Sequence, residues 1–502
     1  MNPGASENRL RRILAIGREY LTHWAVAGTI IALTGFAPEH WVADIVSHLS
    51  IPENLRDGWL LRTFDFRLGL VAVGVAIIAW DVLRRSRPQK QGTLPDAEIK
   101  IPHLALPDKP SIAVLPFQNM SGDTEQEYFA DGIADDIITD LSKISGLLVI
   151  ARNSSFAYKG KSVDIRAVGR ELGVRSVLEG SIRRVNNRVR ITAQLINAAD
   201  SAHLWAERYD RDLTDIFAVQ DEVTHHIVDA LKIKLTPGEA ARIADIPTNS
   251  LEAHDLFLRG REILHGRKWN REIFDTAVAI FRSAIELDPN YAEAYAGLSW
   301  AYLFDFHNHL TASPDVLDVA EHFANLAMEK GPKVPFAHWI VAAVATWKRN
   351  LERTKDETEI ALALNPNYAL AYATRGNAEL YSGNPLAAIP FFDRAIRLDP
   401  AYSQQYIHFI GSAYLVAGKY EAAAASFRER VRLAPETDLS RGLLVSALGH
   451  LGDIDETRRI WAELKQINPN YSFAKHLARL PFSNPADVAR IKDGFAKTGL
   501  SD

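Results

Sequence analysis

Pro289, Pro332, Pro366, Pro400, Pro435 and Pro469 fall 43, 34, 34, 35 and 34 residues apart, and four of them sit in near-copies of one phrase, LDPNY, LNPNY, LDPAY and INPNY. A helix-breaking residue at a period of about 34 marks the joints of a solenoid of helix pairs, an architecture that works by presenting surface.

Within each period, small and large residues keep register when counted back from the proline. Five positions back stand Ala284, Ala327, Ala361 and Ala395, and eight back stand Phe281, Phe392, Phe427 and Trp461. A small residue lets the two helices of a pair approach, and the aromatic fills the space against the next pair. The pattern closely resembles tetratricopeptide repeats. Tyr295, Leu298, Tyr302, Tyr372 and Gly376 match that family's first-helix positions, and Ala277 and Ala388 its small second-helix position. There are departures. Arg430 and Leu464 replace the small residue, Glu379 stands where an aromatic is usual, and the 43-residue interval requires an insertion near Phe304 to Asp315. Core packing accounts for the periodic Ala, Phe and Tyr residues. Recognition would fall on first-helix residues of the concave side, where Trp300 and Asn377 occupy equivalent positions with Arg375 and His408 nearby. These four are the expected partner-binding residues of the array.

The 502 residues have room for two to four domains, and a net charge of −5 gives no electrostatic ground for expecting nucleic acid. With Cys absent, disulfides, thiolate catalysis and Cys-based metal sites are excluded. The 16 His are scattered, and the adjacent His225 and His226 would point in different directions on a helix. No metal or cofactor is expected.

The front of the chain reads as membrane anchor. Tyr20 to Ala37 has no formal charge, and at ~1.5 Å per residue it spans about 27 Å, close to the hydrocarbon thickness. A weaker apolar run, Leu68 to Trp80, reaches that length only with its flanks. Residues 1–85 are thus expected to form a two-helix membrane hairpin with spans at about 20–37 and 66–83. Arg9, Arg11, Arg12 and Arg18 before it, and Arg84, Arg85, Arg87 and Lys90 after it, put both ends in the cytoplasm. This implies a bacterial inner (plasma) membrane protein with a cytoplasmic body, touching the bilayer through two spans. Residues 86–110 carry five prolines among polar residues and read as an extended linker.

In the middle, Ser111 to Phe117 reads as a buried strand, Glu127 to Ile144 as a helix, Leu147 to Ala151 as a strand and Ile165 to Leu172 as a short helix. Ser176 to Arg184 and Arg188 to Ile196 flank Asn186-Asn187, a hairpin signal because Asn tolerates the positive φ of a two-residue turn. His203 to Tyr209 adds a strand and Asp215 to Leu235 an amphipathic helix. The segments SIAVLPFQNMSGDTEQEYFADGIADDIITDLSK, VIARNSSFAYKG, VGRELGVRSVLEGSIRR and RITAQLINAADSAHLWAERYDRDL resemble the domain related to the amino-terminal domain of TolB. In many soil bacteria that domain stands between a tetratricopeptide array and an output module, often a class III adenylate cyclase or a winged-helix DNA-binding domain. Residues 1–110 hold no stretch that would make such a module.

The expected fold class is therefore multidomain: the membrane hairpin, an α/β TolB-N-like domain at 111–238, an all-α tetratricopeptide solenoid at 250–482 and a capping segment at 483–502. Asp131, Asp135, Asp136 and Asp140 share a helix and read as a solvated face in preference to a cation site. Arg152 and Ser154, in a polar segment after a strand, are further candidates for partner binding. Gly160-Lys161-Ser162 ends like a phosphate-binding loop but lacks the earlier Gly, and no HExxH or GxSxG motif occurs. The expectation is a non-enzymatic, membrane-anchored scaffold or sensory-regulatory component that binds proteins through its repeats and can self-associate. A regulatory subunit or truncated relative of a repeat-containing adenylate cyclase and a periplasmic envelope-assembly factor are the alternatives.

Overall fold

Ser111–Val114 (β1) is buried on both faces, as its unbroken apolar run requires. It lies between Leu148–Val149 (β3) and Ser176–Val185 (β4), parallel to both. Gln118–Asn119 (β2) also pairs parallel with β4, while Arg188–Asn197 (β5) and His203–Asp212 (β6) extend the sheet antiparallel. The order is β3-β1-β4-β5-β6, with β2 off this path. Asn186, at φ 53°, makes the two-residue turn between β4 and β5, which pairs Val185 with Arg188. The structure is a computed structural model and describes residues 104–266, 269–311 and 313–502.

Glu127–Ser142 (α1) and Ile216–Ala230 (α4) cover one face of the sheet with Ile133, Ile137, Leu141, Val219, Val223 and Ile227. The chain enters the short helix Arg152–Phe156 (α2) directly after β3, which is why that strand is shorter than its apolar run. Ile165–Leu172 (α3) packs Val168 and Leu172 on the other face, and Pro237–Ile243 (α5), capped reciprocally by Thr236 and Glu239, leads toward the repeats.

Among the described residues six helix pairs follow. They are Leu251–Leu264 (α6) with Arg271–Leu287 (α7), Ala292–Asn308 (α8) with Val316–Lys330 (α9), and Pro335–Trp347 (α10) with Leu351–Leu364 (α11). Next come Ala369–Tyr381 (α12) with Pro385–Leu398 (α13), Ser403–Val416 (α14) with Tyr420–Leu433 (α15), and Leu439–Leu451 (α16) with Ile454–Ile467 (α17). The periodic prolines stand in the joints before the first helix of a pair, and the last precedes Phe473–Arg479 (α18). The long interval is absorbed by α8, which runs 17 residues, and by the segment that follows it. Phe392 and Phe427 are fully buried. A Cβ at Gly376 would lie 2.6 Å from the Phe392 ring, and one at Gly411 2.8 Å from Phe427, so these glycines let each second-helix aromatic press against the first helix. Pro485–Ala496 (α19) closes the array, with Ser446 Oγ donating to Ile491 O at 2.7 Å and Phe495 stacked on Phe473.

The array does not hang from the α/β domain by a linker. One apolar cluster joins Ile133 and Ile137 of α1 to Phe257 and Leu258 of α6 and Leu298 of α8, and a second joins β1, β3 and α3 to Ala369 and Leu398.

The expected fold class is corrected at its front. The described residues form a largely helical repeat solenoid carrying a small mixed sheet at 111–212, and no helix among them is long and apolar enough to cross a membrane. The spans expected at 20–37 and 66–83 lie outside the described residues. The membrane hairpin, the bilayer contact and the inner-membrane localisation that rested on them are accordingly withdrawn.

Candidate functional site

The acidic residues of α1 stand at helical spacing, but they do not face solvent. Asp131 is 1% exposed and Asp135 7%. An unpaired buried carboxylate is costly, so each must find a cation. Arg261 of α6 supplies the main one: Nε lies 3.0 Å from Asp135 Oδ2, and Nη2 donates to Asp136 Oδ1 at 2.8 Å and to Gly132 O at 3.0 Å. Arg152, at the start of α2, bridges from the opposite side, with Nε 3.4 Å from Asp135 Oδ2 and Nη2 2.6 Å from Glu262 Oε2. His254 Nε2 is 3.2 Å from Asp136 Oδ2, which also accepts from Gln220 at 2.7 Å. Lys159 closes on Asp131. The two helices meet closely because Gly132 has no side chain; a Cβ there would come within 2.7 Å of Leu258.

Burial alone would raise the Asp136 carboxyl, but the Arg261 and His254 charges and hydrogen bonds outweigh it and hold the group at about 2. For Asp131 burial wins over Lys159, and the carboxyl rises to about 6. His265, buried beside Arg152 and Arg261, is held neutral well below its ordinary range. Among the described residues no group of three or more His, Asp or Glu could hold a metal.

A second set of contacts covers the β3 edge. Edge strands present unpaired backbone groups, and here the array satisfies them. Asn367 Nδ2 donates to Ser142 O at 3.1 Å and Leu147 O at 3.0 Å, and its Oδ1 faces Val149 N at 3.4 Å. Ala151 N donates to Leu398 O at 2.8 Å. Ser154 Oγ donates to Asp399 Oδ1 at 2.6 Å, Asn153 donates to Asp399 Oδ2 at 3.1 Å, and Ala401 N donates to Ser154 Oγ at 2.9 Å. Arg152 and Ser154 are thus engaged by the chain's own repeats.

The remaining expected contacts are scattered along the first helices. Trp300 is half-buried among aromatic rings, 5.0 Å from Trp339 and 5.6 Å from His265. Arg375 pairs with Glu379 at 2.9 Å and lies over Phe391, which explains how an acid stands where an aromatic is usual. Asn377 is half-buried, and its Oδ1 finds no hydrogen-bond partner among the described residues. His408 is buried against Ser440 Oγ at 2.8 Å, and burial pushes it down to about 3, so it is a neutral packing residue in this structure. Sequence reasoning missed Arg261, His254, Asn367 and Asp399.

Residues 369–402, the stretch that contains α12 and α13, match the family model described as Tetratricopeptide repeat. That stretch is a tetratricopeptide repeat. Residues 108–226 match a different family from the TolB domain expected: the second domain of HilA/YgeH-like transcriptional regulators. Over 251 residues the chain is 54% identical to a protein of Rhizobium meliloti (strain 1021) named "Putative adenylate cyclase 3", covering 50% of this chain and 42% of that one. It is 30% identical over 143 residues to Protein FlbA of Caulobacter vibrioides, covering 27% of this chain and 23% of that one. The chain thus spans less than half the length of either relative. Among solved structures it is similar to YrrB, described as a tetratricopeptide protein with an unusual peptide-binding site, at 19% identity, 40% of this chain, 98% of that one and a TM-score of 0.29. It is also similar to pilF of Pseudomonas aeruginosa, at 15% identity, 45% and 96% coverage and a TM-score of 0.35.

Proposed function

We propose that this chain is a protein-interaction scaffold or regulatory component whose repeats recognise polypeptide. The supporting observation is that the array already does so within the chain: Arg261, Asn367 and Asp399 read side chains and backbone carbonyls of the α/β domain. Repeat arrays spread recognition over several units, so first-helix groups left outside this contact, Trp300, Arg375 and Asn377, are the proposed contacts for an external protein. Full-length chain carrying Asn377→Ala with Arg375→Lys, which leaves the buried Glu379 a cation, should weaken capture of its cross-linked partners while keeping a melting temperature near wild type. Capture that survives these changes and vanishes when the surface of residues 176–212 is altered would move recognition to the sheet.

A second reading rests on the relative named for adenylate cyclase. The shared half would be a regulatory body, and this chain would serve a separate catalytic chain. Purified full-length protein should then convert no ATP to cyclic AMP by itself; turnover above a heat-treated control would sink the non-enzymatic reading.

A further inference from the structure

β6 is an edge strand of ten residues, with no strand on its outer side among the described residues. In an antiparallel ladder alternate residues direct both backbone groups to one neighbour. Leu213 N donates to Asn187 O at 2.8 Å, so Arg211, Tyr209 and Glu207 bond toward β5. The N–H and C=O of Ala206, Arg208 and Asp210 consequently point outward, while the carbonyl of Asp212 is taken up by the 3-10 turn Leu213–Asp215. The side chains divide the same way. Tyr209 reaches His226 and Arg211 reaches Glu222 on the α4 face, whereas Asp210 and Asp212 meet Arg190 and Arg188 on the open face.

Charges on an edge strand ordinarily block pairing with another chain. Here their signs alternate, so the block fails in one register. With a twofold axis at Tyr209, an antiparallel second copy sets Arg208 opposite Asp210 and Glu207 opposite Arg211, each twice. The outward-facing residues 208 and 210 then exchange backbone hydrogen bonds. An axis at Arg208 or Asp210 would set like charges directly opposite, which is unfavourable, and one at Glu207 would leave Arg208 facing Ala206. We propose that two copies of this chain associate through β6, antiparallel and centred on Tyr209, into one continuous sheet. The proposal stands apart from partner recognition by the repeats.

The test is sedimentation velocity on the full-length chain. Wild type is expected as a dimer. Glu207→Arg or Arg211→Glu alone should weaken it at least roughly tenfold, and the double exchange should recover most of that loss because the opposed pairs are restored with reversed sign. Arg208→Pro removes an outward N–H together with the exposed Arg208 charge, whose pair with Asp210 at 3.1 Å adds little to the fold, so it should leave the melting temperature near wild type and yield monomer. A monomeric wild type, including one whose own residues 1–103 cover the edge, overturns the proposal. So does a dimer indifferent to Arg208→Pro, or a double exchange no better than the single changes.

Discussion

Arg261→Met should be the most informative single change in the molecule. It keeps much of the side-chain volume and removes the guanidinium that serves Asp135, Asp136 and Gly132 O. Breaking a buried pair from one side costs about 3–5 kcal/mol. Asp135 keeps Arg152 at 3.4 Å and Asp136 keeps His254 and Gln220, so the lower end, about 3 kcal/mol, applies. The loss should also depend on acid. Asp136 is held at about 2 against an ordinary 3.8, so its contribution is fully present above pH 3.8 and disappears as pH falls toward 2. That contribution amounts to about 2 kcal/mol. Urea unfolding followed by circular dichroism should therefore show a gap between wild type and variant at pH 7 that narrows toward pH 2. A cycle with Asp136→Asn should give a coupling of about 1–3 kcal/mol. Strict additivity, or a loss no larger than that from the exposed Arg271→Met, would mean that Arg261 does not neutralise the buried acids.

Asn367→Ala should cost about 1–3 kcal/mol by leaving the Ser142 carbonyl without a donor and Leu147 O with Lys109 alone, and should speed hydrogen exchange across Ser142 to Val149; unchanged exchange there would contradict the edge-covering role. Asn470→Ala, at the same place in the repeated phrase but exposed, should stay within about 0.5 kcal/mol of wild type. Glu293 has a buried Oε2 with no hydrogen-bond partner among the described residues, and burial raises its carboxyl to about 7. A raised carboxyl contributes stability below its unfolded value that is lost as pH rises through 7, so Glu293→Gln should gain about 3 kcal/mol at pH 8 and nothing at pH 4. Thermal melts at both pH values check this, and an equal effect at the two would count against it.

The helix pairs and the β4–β5 hairpin were legible because each is written locally: a proline at every joint, an aromatic eight residues before four of the six, and Asn186 where a positive φ is needed. The docking was not, because it depends on groups far apart in the chain. Asp136 looks like any solvated helix acid until Arg261, 125 residues away, is brought beside it. Asn367 repeats the Asn of Asn290 and Asn470, which stay exposed; only the α/β domain above it makes it a capping group. Arg152 and Ser154 carry a real signal for binding, and the sequence had no means of saying that the structure answers it within the same chain. His408 lies on a first helix but is packed inward, since helical position alone does not set burial.

The α/β domain is held as one body with the array. Because the chain has no Cys, spin labels can be placed cleanly at Asn187→Cys on the hairpin and Glu359→Cys on α11, both exposed. Pulsed electron resonance should give one narrow distance distribution at neutral pH, and Arg261→Met combined with Asn367→Ala should broaden it. A broad or two-peaked distribution in the wild-type chain would show the domain swinging free of the repeats and would contradict the account.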